Sequence, residues 1–292
     1  MARQHYGREL WDRMCDFVAQ PDGLIEYECG TWTIQKLFFL CHYLGVTTQA
    51  MVGHPQFDSI NYIDLFAGAG VCVTNESRTR RYPGSALIAA GCQKHFSNLY
   101  LVEQDKARLE ALKSRIERLR SPTVIHTFNE DANDVASAVA GSLPGRSLNI
   151  AFIDPYSLDI RFDSIQVLAS GRPLDLIILF ADRMDVQRNV DEYYYPQKSD
   201  KLDLFLGPAS NWRIDYDNLL NRDGGRIREM FASIYLRQLR TLGYMHTRTK
   251  SIEGDNGALY RLVYASKNSL GLKFWDVAES EGLGGERSLF GV

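Results

Sequence analysis

Apolar residues along this chain fall into short runs separated by amphipathic or polar segments. Five mostly apolar runs follow one another between residues 59 and 182: YIDLF, NLYLV, VIHTF, LNIAFI and DLIILF. Strands that are apolar on both faces are typical of a parallel sheet covered by helices on both sides. Between them, KARLEALKSRIERLR places Leu109, Leu112, Ile116 and Leu119 on one helical stripe. The pattern therefore predicts strands alternating with helices around a parallel sheet.

The two ends of the chain depart from this alternation. Residues 1–58 are predicted to be helical, because TWTIQKLFFLCHYLGVTTQAM has apolar residues at helical spacing. Near the other end, GYMHTRTKS and ALYRLVYASKN flank EGDNG, which predicts an antiparallel hairpin. A mostly parallel sheet that closes on such a hairpin is the pattern of the Rossmann-like methyltransferases. We therefore predict that α/β fold, with a helical N-terminal extension over 1–58 and a Rossmann-like domain over 59–292 carrying a helical insertion at about 183–242.

Composition narrows the class of protein further. The 292 residues are 45% hydrophobic with a formal net charge of −3, so a nucleic-acid partner would have to meet a local basic patch. The five cysteines include no C-x-x-C pair, which favours a reducing compartment, and the six histidines show no metal-ligand spacing. The segment MARQHYGREL does not have the apolar core of a signal peptide, and no apolar run is long enough to span a bilayer. We expect a cytoplasmic protein with no membrane association and no metal.

Four consecutive predicted strands end in glycines or polar residues. These ends are DLFAGAG (64–70), EQD (103–105), NED (129–131) and DPY (154–156). In an open parallel sheet, ligands bind at the carboxyl ends of the strands, so the four ends would meet at one edge. Four such ends in order are stronger evidence for a binding site than any one of them.

The chemistry of these ends suits S-adenosylmethionine. Gly68 and Gly70 would let the zwitterionic amino-acid part approach the backbone, Glu103 would accept from the ribose hydroxyls, and Asp131 would accept from the adenine amino group. Glu103 and Asp131 have an alternative as solvated loop residues or helix caps. A nicotinamide cofactor competes, but the third glycine of G-x-G-x-x-G is missing. The residues expected to bind the cofactor are Asp64, Phe66, Gly68, Gly70, Glu103 and Asp131.

The fourth strand end bears on the type of reaction. Asp154-Pro155-Tyr156 is one proline short of the D-P-P-Y signature of amino methyltransferases and resembles the D-P-F-G ending of some tRNA guanine-N2 methyltransferases. The aspartate and the carbonyl beside the proline would orient an amine, and the aromatic ring would stack on a base. The alternative is that Pro155 ends the strand and Tyr156 packs under a loop. We expect Asp154, Pro155 and Tyr156 to be catalytic in methyl transfer to an exocyclic base amine of RNA or DNA.

Four arginines are candidates for contact with that substrate. Arg78, Arg80 and Arg81 lie in the basic loop after the glycine turn, where they would form a phosphate-binding lip or a solvated loop. Arg188 follows the fifth strand and would face the same edge of the sheet, in contact with substrate or in an ion-pair network.

Segments spread along most of the chain are similar to the three-Cys-motif partner proteins (TcmP). They are KLFFLCHYL, DLFAGAG, GSALIAA, FIDPY, FADRMDVQRN, LFLGPASNW, LGYMH and LYRLVYASKNSLGLKFWD. The resemblance implies a Rossmann-type methyltransferase that uses S-adenosylmethionine, and a separate three-cysteine protein, similar to radical-SAM enzymes, as its partner. It supports the fold and the cofactor more than the target. The alternative is a non-catalytic Rossmann-fold subunit that binds a protein or a nucleic acid.

Overall fold

A computed structural model describes residues 6–74, 80–254 and 257–289. Its strands are β1 (Tyr27–Cys29), β2 (Ser59–Asp64), β3 (Val71–Thr74), β4 (Arg81–Pro83), β5 (Asn98–Val102), β6 (Val124–Phe128), β7 (Ser147–Ile153), β8 (Leu174–Phe180), β9 (His246–Gly254) and β10 (Gly257–Ser266). Its α-helices are α1 (Tyr6–Val18), α2 (Thr31–Met51), α3 (Ser85–Ala90), α4 (Lys106–Leu119), α5 (Ala132–Ser142), α6 (Phe162–Leu168), α7 (Lys201–Leu206), α8 (Trp212–Asp217), α9 (Gly224–Thr241) and α10 (Leu270–Leu289).

The main sheet has the strand order β6-β5-β2-β7-β8-β10-β9. The first five strands in this order are parallel to one another. Strand β10 is antiparallel both to β8 and to β9, so the sheet closes on a hairpin. The predicted Rossmann-like methyltransferase fold is confirmed, and the five apolar runs are its parallel strands.

Helices cover both faces of this sheet. In β8, Ile177 and Leu179 join the core beneath α1, α2, α3, α4 and α10, whereas Leu176, Ile178 and Phe180 join the core beneath α5 to α9. Successive side chains of a strand point to opposite faces, so a strand buried on both faces needs apolar residues at nearly every position. This explains the nearly unbroken hydrophobic runs in the sequence.

The described part of the N-terminal region, residues 6–58, contains two helices and one short strand. Helix α2 packs against α1 and α10, and fifteen of its 21 residues are buried. Its side chains share one core with those of the main sheet. Strand β1, at Tyr27–Cys29, was not among the predicted elements of this region. The boundary at residue 58 remains a prediction.

A second, small sheet lies next to the glycine turn. Its order is β1-β3-β4, with β1 parallel to β3 and β3 antiparallel to β4. Strand β3 therefore ends directly before the segment predicted as a basic loop, residues 75–84, and β4 lies within that segment. Strands of three or four residues are too short to show alternation in a sequence.

The region predicted as a helical insertion, at about 183–242, contains several short elements before the long helix α9. Two π-helical segments, Asp182–Gln187 and Val190–Tyr194, follow β8. They lead to α7, a 3₁₀ turn at Pro208–Ser210, and α8. Over the ranges that the structure describes, no helix has the length and apolar character needed to cross a bilayer.

Candidate functional site

A cleft of about 1070 Å³ opens at the carboxyl ends of β2, β5, β6 and β7. All four strand ends singled out in the sequence contribute to its lining. The predicted site residues that line it are Phe66, Gly68, Glu103, Asp131, Asp154, Pro155 and Tyr156. The N-terminal region and the C-terminal hairpin complete the walls, so the cleft draws on segments from most of the chain.

The two glycines of the first turn have different surroundings. Gly68 has a φ of +62°, and the nearest heavy atom to a Cβ placed there would be Tyr27 Cε1, 3.7 Å away. It therefore leaves open space in the cleft. Gly70 has a φ of +85° and does not line the cleft, and a Cβ there would lie 2.8 Å from Leu112 Cδ1. Gly70 is thus required by the backbone conformation and by close packing against α4.

Asp64 lies beneath this turn and is fully buried. Its carboxylate accepts hydrogen bonds from the Tyr62 hydroxyl at 3.0 Å and from the Phe66 backbone N–H at 3.2 Å. Burial raises the pKa of Asp64 to about 7, although hydrogen bonds from Ser85, Phe66 and Tyr62 act in the opposite direction. Asp64 therefore holds the turn from below and does not line the cleft, and its predicted contact with a cofactor remains a prediction.

The second and third strand ends place carboxylates on the cleft wall. Glu103 accepts from the Gly68 N–H at 3.0 Å and from the Asp105 N–H at 2.8 Å. Asp131 accepts from the Asn133 N–H at 2.8 Å and so caps the start of α5. The helix-cap alternative considered for Asp131 is therefore present in the structure, and the same residue also lines the cleft.

The fourth strand end brings Asp154 against a residue that sequence reasoning missed. Lys36 of α2 donates a hydrogen bond from Nζ to Asp154 Oδ2. The Lys36 side chain is 9% exposed and that of Asp154 is 21% exposed, and both residues line the cleft. The sequence does contain a signal for this contact, because Lys36 is the one residue among Lys, Arg, Asp and Glu in the mostly apolar helix α2. A charged side chain that is buried requires a partner of opposite charge.

Tyrosines lie beside Asp154 at the mouth of the cleft. Tyr156 is 93% exposed, whereas Pro155 is buried, so packing of Tyr156 under a loop is not what the structure has. Tyr260 of β10 lines the same cleft. Burial raises the pKa of Tyr260, the nearby Asp154 carboxylate raises it further, and Arg188 lowers it. Arg188 is itself exposed and lies outside the cleft lining.

Of the arginines after the glycine turn, Arg80 and Arg81 do not belong to the cleft lining. Arg78 lies outside the described residues. The guanidinium of Arg80 is 5.2 Å from the centroid of the Tyr82 ring, and its side chain is exposed. Arg81 belongs to β4 and forms a 2.6 Å ion pair with Glu26. A phosphate-binding lip formed by these arginines remains a prediction.

A second polar cluster supports the wall next to the Asp154 end. Asp185, in a π-helical segment, accepts hydrogen bonds from the hydroxyls of Ser157 and Tyr194 and, at 2.9 Å, from Asn189 Nδ2. Asp185 is 8% exposed. Single π-helical turns occur frequently at functional sites. Here the turn fixes the loop that carries Ser157, the residue that directly follows Tyr156.

The lining of the cleft is acidic. Its ionisable side chains other than tyrosine and cysteine are the carboxylates Glu28, Glu103, Glu130, Asp131, Asp154, Asp159 and Asp185 and the cations Lys36 and Arg108. Carboxylates lining a cleft with low-dielectric walls attract cationic ligands. Within the described ranges, no group of three or more His, Cys, Asp or Glu side chains is arranged to hold a metal ion.

Comparison with solved structures identifies similar folds at low identity. Protein LPL1258 from Legionella pneumophila is 12% identical, with a TM-score of 0.50 over 83% of this chain and 90% of that chain. The O-methyltransferase TomG from Streptomyces achromogenes, solved in complex with SAM, is 12% identical, with a TM-score of 0.44 over 91% of each chain. An rRNA methylase from Streptococcus thermophilus is 11% identical, with a TM-score of 0.38 over 76% of this chain and 94% of that chain.

These identities bear on the fold alone. The Legionella structure agrees with the α/β architecture described above. A comparison with models of protein families finds no match, and a comparison with curated proteins finds none either.

Proposed function

We propose that the protein is an S-adenosylmethionine-dependent methyltransferase. The observation that supports this proposal best is the meeting of four consecutive strand ends, with Gly68, Glu103, Asp131 and Asp154, in one cleft of about 1070 Å³. This edge of an open parallel sheet is where ligands bind in folds of this type. The fold agrees with the proposal, and the residues that line the cleft have groups suited to the parts of this cofactor.

The residues of the cleft fit the parts of this cofactor. Glu103 would accept from the ribose hydroxyls, since a carboxylate has about four acceptor positions and two are used by backbone N–H groups. Gly68 would leave room for the amino-acid part, and Asp131 would accept from the adenine amino group. The acidic lining favours a ligand that carries a sulfonium and an ammonium charge. When bound, the cofactor supplies an electrophilic methyl group.

For the methyl acceptor we infer an exocyclic base amine of RNA or DNA. Asp154 would accept one N–H of the amine and so orient its lone pair, and its negative charge would favour the positive charge that develops on nitrogen. Tyr156, exposed at the rim, would stack on the base that carries the amine. Pro155 is buried and holds the backbone between these two residues.

A separate three-cysteine protein similar to radical-SAM enzymes belongs to this proposal as a partner. Its support is the resemblance of the chain to the three-Cys-motif partner proteins, spread from KLFFLCHYL to LYRLVYASKN. The methyltransferase assay therefore needs to be carried out both with and without that partner.

A second candidate acceptor is an amine of a protein. It is favoured by the lining, where seven carboxylates and two cations meet, because such a surface repels a phosphate backbone and attracts a lysine or arginine side chain. Tyr156 and Asp154 would then hold an aliphatic amine instead of a base.

The test is incorporation of tritiated methyl groups from S-adenosylmethionine into RNA, DNA and protein of a strain that does not have the gene. Calorimetric titration of the cofactor accompanies it. Asp154→Ala should retain cofactor binding and lose methyl transfer by on the order of 10²–10³-fold, since positioning and charge stabilisation are lost. Asp58→Ala is the matched control, because Asp58 forms an exposed ion pair with Arg146 on the surface.

The fraction that becomes labelled distinguishes the two candidate methyl acceptors. Label in RNA or DNA supports the base amine, and label in protein alone supports the second candidate. Tight cofactor binding with no label in any fraction, whether the three-cysteine partner is present or absent, would favour a non-catalytic subunit. If no fraction becomes labelled and the protein also does not bind the cofactor, the proposal is rejected as a whole.

A further inference from the structure

The contact between Lys36 and Asp154 places a hydrogen-bond donor and an acceptor side by side in the cleft. Lys36 Nζ makes one hydrogen bond within the described part of the chain, to Asp154 Oδ2. An ammonium has three N–H donors, so two remain for a ligand. The other carboxylate oxygen, Oδ1, has no hydrogen bond to any residue that the structure describes. Both side chains line the cleft, so these free positions are open to the same ligand.

The ion pair of Lys36 and Asp154 has no net charge, but it offers hydrogen-bond donors on Lys36 and an acceptor on Asp154. The Lys36 side chain is 9% exposed, so its ammonium is held largely out of water, where an unmatched polar contact with a ligand costs more than at the surface. A ligand that offers an N–H beside a lone pair would match both partners. A ligand that offers two donors would place a donor against the Lys36 N–H groups, which would then have no acceptor.

We propose that Lys36 is a specificity-determining residue that reads the ring atom next to the methylated amine. This inference rests on the proposed transfer to a base amine. Asp154 Oδ1 would accept from the amine while Lys36 donates to an unprotonated ring nitrogen beside it. The substrate class is therefore a base whose amine adjoins an unprotonated ring nitrogen on its Watson–Crick edge.

The four bases differ at this point on their Watson–Crick edges. Adenine and cytosine present an amine next to an unprotonated ring nitrogen, which matches the Lys36–Asp154 pair. On this edge guanine presents its amine next to a ring N–H, because its unprotonated N3 lies on the other side of the amine, and uracil or thymine has no amine. The proposal thus selects adenine and cytosine from the four.

Binding of short DNA tests this without depending on turnover. Four trinucleotides that differ only in the central base, with thymine on each side, are titrated calorimetrically into the protein with S-adenosylhomocysteine present. We expect the adenine and cytosine trinucleotides to bind about 10-fold tighter than the guanine and thymine ones, in the range that a bidentate base contact provides. Lys36→Met should abolish this preference, and Lys36→Arg, which keeps N–H donors, should retain it.

Lys113→Met is the matched control, because Lys113 pairs with Glu110 on the exposed surface of α4. Thermal melting of each variant separates a loss of preference from a loss of fold. Guanine or thymine binding as tightly as adenine and cytosine in the parent protein would overturn the proposal, as would a preference unchanged in folded Lys36→Met. Absence of trinucleotide binding would also overturn it, while titration of the cofactor alone reports separately on the proposed function.

The position of the label in a methylated product is an independent readout. If RNA or DNA becomes labelled, digestion to nucleosides should find the tritium on adenosine or cytidine. Label on guanosine would refute the role of Lys36 and leave the methyltransferase proposal intact.

Discussion

The backbone N–H of Gly68 donates to Oε2 of Glu103 over 3.0 Å, which joins the turn after β2 to the end of β5. The other oxygen of Glu103 accepts from the Asp105 N–H at 2.8 Å. One carboxylate therefore fixes two neighbouring loops at the cleft and still has acceptor positions to offer. Loss of this side chain would affect both the shape of the rim and its capacity to bind a ligand.

Glu103→Ala should weaken binding of S-adenosylmethionine. Each hydrogen bond to a charged acceptor contributes about 1.5–3 kcal/mol, so loss of even one should raise the dissociation constant at least tenfold. Calorimetric titration measures this. Glu110→Ala, on the exposed face of α4, is the control and should bind like the parent. A folded Glu103→Ala that binds with unchanged affinity would place the ribose elsewhere.

The two glycines of the turn should respond differently to substitution. Gly68→Val should abolish cofactor binding, because its side chain would occupy space in the cleft. Gly70→Ala should lower stability by about 1–3 kcal/mol beyond backbone strain, because its Cβ would lie 2.8 Å from Leu112 Cδ1. Thermal melting and cofactor titration of each variant separate the two effects.

Gly53→Ala provides the matched control for this pair. Gly53 has a φ of +82°, and a Cβ placed there would have no heavy atom within 4 Å, so the substitution introduces the backbone strain alone. That strain is on the order of 1–2 kcal/mol. If Gly70→Ala were no less stable than Gly53→Ala, packing against Leu112 would not be the reason for the glycine.

Tyr156→Ala should weaken binding of single-stranded RNA or DNA without changing the melting temperature. The side chain is 93% exposed, so its removal costs little packing, whereas stacking of a base on an aromatic ring contributes about 1–3 kcal/mol. Fluorescence anisotropy with a labelled oligonucleotide measures the affinity. Tyr156→Phe keeps the ring and should behave like the parent, and an equal loss in both variants would argue against stacking.

Asp64 should make the stability of the fold fall as pH rises from about 4 to 7. Its pKa is about 7 in the folded protein, against 3.8 for an unperturbed aspartate, so between these values the folded state binds more protons than the unfolded state. The stabilising effect of the bound proton is complete below pH 4 and is lost as pH approaches 7. The loss is about 1.36 kcal/mol per pH unit near pH 5 and about half of that at pH 7, or about 2 kcal/mol between these two pH values.

Urea denaturation of the parent and of Asp64→Asn at pH 5 and pH 8 measures this effect. The asparagine variant cannot ionise, so its stability relative to the parent should increase between the two pH values. Asp58→Asn is the control, since Asp58 is 67% exposed and its substitution should shift stability equally at both pH values. A constant difference for Asp64→Asn would mean that Asp64 is ionised throughout.

The sequence was sufficient to predict the main sheet and the edge at which the cleft lies. The central strands β7 and β8 are buried at every position and β7 ends in the polar DPY segment, so both the strand and its functional end are local signals. Helix α4 was equally predictable, because Leu109, Leu112 and Ile116 are buried along one stripe. The positions of Phe66, Gly68, Glu103, Asp131 and the DPY residues in one cleft follow from that topology.

Other features depend on contacts between distant parts of the chain. Lys36 precedes Asp154 by 118 residues, and only the packing of α2 against the sheet brings their side chains together. Asp64 shares a strand with residues that point to both faces, so its sequence position does not reveal that its carboxylate lies beneath the turn. Arg81 has the sequence context of a loop residue because β4 has only three residues.

The place of β10 in the sheet has a consequence for synthesis on the ribosome. Strand β10 is synthesised after β9 but lies between β9 and β8 in the sheet. The edge of β8 that pairs with β10 therefore stays unpaired until residues 257–266 have emerged. All seven residues of β8 are buried in the finished fold, so the strand with the unpaired edge is mostly apolar. Unpaired apolar edges are prone to association with other chains, and synthesis adds only about 5–20 residues per second. The nascent protein should therefore depend on chaperones most strongly during the interval between β8 and β10.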